Sequence, residues 1–247
     1  MVVFGGSFVI GFLVEGLVVR EDYFRLLLAK VPEVKRKWFR KEMFAYIKPM
    51  VFLAVFGWIS NYADRYLIEY LLDAKEVGYY AAGYSLGTKF FISFVTPFLL
   101  LLRPVIFQMK KDEEAPAKGI DITISHLKPF LGIGIVVLLG FVLGYDFIGR
   151  LFLSANYQSG FVVIPVIAGA FFLLTASYFF EVSFYAWSKT VYILYANVVG
   201  AVVNIVFNIF LIPVLGITGA AWSSLLSYGV QLAVVLFFYF YVFLKKS

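Results

Sequence analysis

Seven long apolar stretches constrain this chain more than anything else in it: about 2–19, 44–70, 78–104, 129–152, 161–187, 190–212 and 218–243. A helix needs roughly 20 mostly apolar residues to cross a bilayer. Only helices and closed barrels satisfy their backbone polar groups in lipid. Strict period-2 alternation is absent, so the stretches predict helices and not barrel strands. Composition agrees: 62% of residues are hydrophobic and 15% charged, against about 45–50% and 25% in soluble domains. A soluble enzyme, a disordered tail and a nucleic-acid module are thereby excluded. With no Cys there is no disulfide framework or thiol nucleophile. One histidine, His126, without a Cys/His cluster or HExxH pattern predicts no metal site.

The placement of the basic residues predicts topology. Seventeen of the 21 Lys and Arg lie in segments 20–48, 103–128 and 189, and at Lys245-Lys246. The alternate connections carry only Arg65, Lys75 and Arg150, while Lys89 falls inside a span. Basic loops stay cytoplasmic, so the N-terminus is expected outside and the C-terminus inside, in a multi-pass protein of the cytoplasmic membrane. The net charge of +6 is then a topology signal, with contact to anionic lipids as an added expectation, and not a sign of nucleic acid. An outside start followed by an odd number of spans leads to the expectation that the sequence is a piece of a longer protein.

Two polar segments are extended. Residues 20–42 mix basic and bulky apolar residues, which predicts an amphipathic helix on the cytoplasmic surface. Residues 108–127 are expected to form a mixed-charge loop. The outer connections, 71–77, 153–160 and 213–217, are short and force antiparallel neighbours. Gly83-x-x-x-Gly87, Gly140-x-x-x-Gly144 and Gly216-x-x-x-Ala220 are candidate faces for close helix packing.

Ionisable groups within spans are costly, about 2.5–3.5 kcal/mol each on insertion scales, and are candidate functional residues. Lys89 lies near the midplane beside Ser85 and Thr88, where it fits either an anionic substrate group or an ion pair with a neighbouring helix. Asn61, Asp64, Arg65 and Ile68 share a face of the second span, as an outer-interface pair or a substrate contact. Glu15 in the first span and Glu181 in the fifth are candidates for proton or ion coupling. Asn197, Asn204 and Asn208 form a polar stripe on the sixth span, matched on the seventh by Ala220, Ser224, Ser227 and Gln231. Such stripes fit a cavity wall or interhelical hydrogen bonding. No Ser/His/Asp set, phosphate loop or carboxylate cluster is present, so the sequence predicts a transport or scaffold protein rather than an enzyme.

The run Trp58-Ile59-Ser60-Asn61-Tyr62-Ala63-Asp64-Arg65-Tyr66, then Val77-Gly78-Tyr79-Tyr80-Ala81-Ala82-Gly83-Tyr84, resembles the seventh and eighth helices of O-antigen-type polysaccharide flippases. These belong to the multidrug/oligosaccharidyl-lipid/polysaccharide (MOP) exporter superfamily, which shares a MATE-like fold. Asn208 to Pro213 followed by Leu215-Gly216-Ile217-Thr218-Gly219-Ala220-Ala221-Trp222-Ser223-Ser224 is similar to that family's entry into its last helix. The resemblance implies an all-α polytopic protein of about seven transmembrane helices. Residues 1–19 would be the last helix of an N-terminal bundle, 20–43 a cytoplasmic linker, and 44–247 the C-terminal six-helix bundle. It also implies that the first five helices of the family are missing, so that the partner would be an N-terminal bundle or a second copy.

The cargo so implied is an oligosaccharide linked to a polyprenyl-type lipid diphosphate, with no cofactor. Lys89, Arg65, Asp64, Asn61, Asn204, Asn197 and Gln231 would line the cavity, the cations meeting diphosphate or acidic sugar and the amides meeting hydroxyls. Two alternatives stand beside this: a cation-coupled multidrug exporter or lipid II flippase of the same superfamily, and a non-transporting half-bundle or scaffold.

Overall fold

The computed structural model describes residues 51–52, 57–58, 62–109 and 115–243. The chain divides into two units, Met1–Ile47 and Lys48–Ser247, and all the described residues lie in the second. The expected first span, the linker and Glu15 therefore fall outside the described residues, as does Asn61.

Helix α1 covers 62–71, the end of the second expected span. It is followed by α2 (Ala74–Met109), α3 (Ala115–Phe152), a 3-10 turn (Ala155–Gly160), α4 (Val163–Ala186), α5 (Thr190–Leu215) and α6 (Ile217–Phe243). The described residues are all-α with no strand, and five of these helices are long and apolar enough to cross a membrane. The connections at 72–73, 153–162 and Gly216 lie at one end of the bundle.

Two expected loops are instead helix. α3 begins at Ala115, so most of the segment read as a mixed-charge loop is helical. Its core-facing positions carry Gly119, Thr123, Phe130 and Gly134, so the 3.6-residue period continues through a stretch that hydropathy alone reads as polar. With 36 and 38 residues, α2 and α3 exceed the roughly 20 needed to span, and they extend past the apolar layer at the end where both are charged. The expected loop 213–217 shrinks to one residue. Gly216 adopts φ 61° and ψ −141° and donates its N–H to the Ile212 carbonyl at 2.8 Å. Only glycine enters that backbone region readily, so α5 turns into α6 without a loop.

α4 is the axis of the unit. Eighteen of its 24 residues are buried, and it is flanked by α2, α3 and α6, with α5 lying beyond against α6. A helix covered on nearly every side by its neighbours leaves little surface to face lipid. Its sequence, Val163-Ile164-Pro165 through Phe184-Tyr185-Ala186, places Phe or Ala on nearly every turn. Within a bilayer, burial of apolar area gives no drive between helices, and close packing has to replace it. Ring contacts supply part of this: Phe130 of α3 lies 5.7 Å from Phe172 and 5.1 Å from Phe179 of α4, and Phe91 of α2 lies 5.7 Å from Phe172. Such pairs contribute about 0.5–1.5 kcal/mol each.

Glycines supply the rest. A Cβ on Gly87 would come within 2.9 Å of the Ala168 nitrogen, and one on Gly83 would overlap the Gly160 carbonyl. Gly83-x-x-x-Gly87 is thus the face that seats α2 on α4 and on the 3-10 turn. The other two glycine pairs are not used as expected. A Cβ on Gly140 would meet nothing within 4 Å, and the nearest atom to one on Gly144 belongs to Ile148 of its own helix. At the α5–α6 corner the close approach falls at Gly219, whose Cβ would overlap the Leu211 carbonyl.

Candidate functional site

Two sets of polar groups stand out, one inside the bundle and one on its surface. The first starts at Asp64, which is fully buried on α1. Its Oδ1 accepts the Arg65 backbone N–H at 2.8 Å, and its Oδ2 accepts the Tyr80 hydroxyl at 2.5 Å. Tyr80 of α2 neighbours Ser224 of α6, and one turn farther along both helices Tyr84 neighbours Tyr228. Burying a carboxyl group is costly unless its oxygens are satisfied, and the bonds from Arg65 and Tyr80 meet that condition while tying α1 to α2. The Arg65 guanidinium stacks over the Tyr62 and Tyr84 rings at 4.9 and 5.0 Å, a cation–π arrangement. Phe171 of α4 closes the cluster, edge-on to Tyr84 at 5.5 Å and to Tyr228 at 5.4 Å.

Farther along α4 lies the second buried carboxyl group. Glu181 is 5% exposed and accepts the Ser177 hydroxyl at 3.0 Å. That hydroxyl also faces the Leu174 carbonyl at 2.7 Å, so its single proton is shared between two acceptors. Half-buried Tyr178 stands about one turn before Glu181 on the same helix.

The surface set is on α2. Its core face carries Tyr80, Gly83, Tyr84, Gly87, Phe91, Val95, Leu102 and Ile106. On the opposite face, at helical spacing, stand Ser85, Lys89, Ser93, Thr96 and Arg103. Lys89 is exposed and forms no ion pair or hydrogen bond among the described residues. The alternative of an ion pair with a neighbouring helix therefore has no support among them. Ser85 and Thr96 turn their hydroxyls back to the carbonyls of Ala82 and Ile92, both at 2.8 Å.

The structure separates the expected site residues rather than gathering them. Asp64 and Arg65 are neighbours in the buried cluster, while Lys89 lies on the far side of α2. Asn204 and Gln231, expected to line a cavity, lie buried where α5 and α6 meet. Asn204 is 2% and Gln231 5% exposed, and the Gln231 Oε1 would stand 3.1 Å from a Cβ on Gly200. The two polar stripes thus face each other along an α5–α6 seam, because small residues on each allow the helices to meet. Asn208 donates to the Asn204 Oδ1 at 2.9 Å, and half-buried Asn197 donates to its own Ile193 carbonyl at 2.9 Å.

Tyr80, Tyr84, Tyr178 and Tyr228 escaped the sequence reading as site residues. The signal for the first pair was present in their i, i+4 spacing on one face, since a buried phenol needs a partner for its hydroxyl.

Among the described residues, this fold and these groups define an all-α protein with five helices long and apolar enough to cross a membrane and a few buried polar groups within an apolar core. No protein-family model matches the sequence, no curated protein matches it, and no solved structure matches the fold.

Proposed function

We propose that the chain is the C-terminal part of a flippase that moves an oligosaccharide linked to a lipid diphosphate across the cytoplasmic membrane. The observation that carries this reading is the position of Lys89. It stands fifteen residues into α2. At a rise of about 1.5 Å per residue, that is roughly 22 Å from one end of the helix and roughly 30 Å from the other. It is exposed, on a stripe with Ser85, Ser93, Thr96 and Arg103. Facing lipid there costs about 2.5–3.5 kcal/mol for the lysine alone, so the stripe fits better against water or a second helical bundle. A fixed ammonium in a pathway of low dielectric attracts diphosphate strongly. Rocking of two bundles around such a face is the usual basis of alternating access.

The α5–α6 seam favours a second reading, a non-transporting scaffold, because amides expected to meet sugar hydroxyls are used for packing instead. One experiment separates the two. The full-length protein is reconstituted in vesicles with a fluorescent polyprenyl-diphosphate oligosaccharide, and flipping is followed by quenching of the outward-facing label. The flippase reading expects protein-dependent flipping that falls more than tenfold in Lys89→Ala and survives in Lys89→Arg. Flipping by Lys89→Ala at the normal rate removes Lys89 from the pathway, and no flipping by the unaltered protein leaves the scaffold.

A further inference from the structure

Two prolines on α2 have no part in its packing. Pro97 and Pro104 lie inside the helix, which runs unbroken from Ala74 to Met109. A proline in a helix interior has no N–H to give the carbonyl four residues earlier, and its ring crowds that carbonyl as well. Pro97 therefore deprives the Ser93 carbonyl of its helical donor, and Pro104 does the same to the Leu100 carbonyl. The core does not ask for either ring. Both prolines are exposed, and the buried residues of this stretch are Val95, Leu99, Leu102 and Ile106.

The two carbonyls belong to the exposed stripe. Lys89, Ser93, Thr96, Leu100 and Arg103 recur at intervals of four and three residues, which sets them in one row along the helix, and all five are exposed. At a rise of about 1.5 Å per residue, the Ser93 and Leu100 carbonyls stand roughly 10 Å apart, between two cations roughly 21 Å apart. Carbonyls freed inside a membrane helix are ordinarily met by neighbouring helices, by Ser or Thr hydroxyls, or by water. Here the neighbouring helices leave Ser93, Pro97, Leu100 and Pro104 exposed. The nearby hydroxyls are engaged elsewhere: Thr96 donates to the Ile92 carbonyl and Ser85 to the Ala82 carbonyl, both at 2.8 Å.

From this row we infer that α2 holds the sugar portion of a glycolipid, with the Ser93 and Leu100 carbonyls accepting hydrogen bonds from its hydroxyls. A carbonyl oxygen only accepts, so its ligand must bring donors. Those donors are neutral, because Lys89 and Arg103 bracket the row and repel a metal ion or an ammonium group. A sugar is dense in O–H groups, and the same cations suit the phosphates that join a sugar to its lipid. The roles divide along the helix: Lys89 meets the diphosphate, and the sugar lies from there toward Arg103. The inference rests on the flippase reading for its cargo and adds the place where the sugar binds, on backbone atoms that the two prolines uncover.

The test measures binding of two probes to the full-length protein in nanodiscs: a polyprenyl diphosphate bearing a neutral tetrasaccharide, and the same lipid diphosphate without sugar. The unaltered protein is expected to bind the sugar-bearing probe about tenfold more tightly, the difference that one or two hydrogen bonds supply. In the double Pro97→Ala, Pro104→Ala protein the restored N–H groups occupy both carbonyls. Its preference is expected to fall below about twofold, with affinity for the bare probe unchanged. The double Pro97→Gly, Pro104→Gly protein restores the same N–H groups while keeping the helix pliant, and is expected to lose the preference likewise. Pro129→Ala, on an exposed proline of α3, is expected to keep it. Equal affinity for the two probes in the unaltered protein, binding of neither, or a preference that survives in the alanine or glycine pair overturns the inference. A fall in bare-probe affinity in both pairs shows that the prolines act through the shape of α2, and overturns it too. Lipid flipping by the same protein in vesicles keeps the readings apart: flipping without a sugar preference removes this site alone, and a sugar preference without flipping removes the flippase and keeps the site.

Discussion

Gly87→Ala tests how the bundle holds together without a hydrophobic drive. The added methyl would stand 2.9 Å from both the Ala168 nitrogen and the Ile167 Cγ2, and 3.1 Å from the Ile164 carbonyl oxygen. Two of these three atoms are backbone of α4 and cannot rotate away. Restoring ordinary contact, which begins at 3.4 Å, requires α2 to withdraw by about 0.5 Å, and a gap of that size forfeits about a quarter of the dispersion energy of every atom pair along the face. Overpacking of this kind costs about 1–3 kcal/mol, toward the top of the range where backbone is struck. Replacing a helical glycine by alanine returns about 1 kcal/mol.

The net expectation is a loss of about 1–2 kcal/mol. Equilibrium unfolding of the purified protein in mixed micelles, with increasing sodium dodecyl sulfate and helix content as the readout, measures it. Gly140→Ala is the control, because its methyl meets nothing within 4 Å. It gains propensity and loses no packing, and is expected to be neutral or up to about 1 kcal/mol more stable. A Gly87→Ala protein as stable as Gly140→Ala would refute the idea that glycine approach holds α2 on α4.

Three further outcomes are expected in the same unfolding assay. Tyr80→Phe removes the 2.5 Å bond to Asp64 and leaves a buried carboxyl oxygen short of a donor, so a loss of about 1–3 kcal/mol is expected; no loss would mean that Asp64 finds another partner. Gly216→Ala forces a side chain into φ 61°, ψ −141° and should cost about 1–3 kcal/mol, although a methyl there would touch nothing. Asn208→Leu should destabilise by about 1–2 kcal/mol, because the Asn204 Oδ1 loses its donor, whereas the double Asn204→Leu, Asn208→Leu protein should recover most of that; strictly additive losses would count against the pairing.

The helices were legible in the sequence because length and hydropathy decide what can cross a bilayer. The start of α3 was not, since Gly119 and Thr123 occupy its core-facing positions and neither is apolar enough to register as a span. Asp64, Arg65 and Glu181 could be found as charges within apolar runs. Their tyrosine partners were hidden because hydropathy treats a phenol nearly as a ring, and its hydroxyl matters only when a neighbouring helix delivers an acceptor. The stripes on α5 and α6 were visible as stripes. Whether they bounded a cavity or a seam depended on Gly200 and Gly219, which bring the two backbones together. The side of α2 that carries Lys89 followed from periodicity, but what that side faces depends on where α4 lies.

The encirclement of α4 also sets an order of assembly. During synthesis α4 leaves the insertion machinery before α5 and α6 exist, so it first stands in lipid on the side that α6 later covers. Glu181 keeps its bond from Ser177, which lies on the same helix, but stands uncovered by α6, at a cost of about 2.5–3.5 kcal/mol for the carboxyl group. The hairpin around Gly216 arrives as one piece, because a single-residue corner leaves the two helices no freedom to insert separately. A chain stopped before Ile217 would hold an unshielded acidic helix in the bilayer, the feature by which membrane quality control selects proteins for degradation. α6 is therefore the helix that completes this interior.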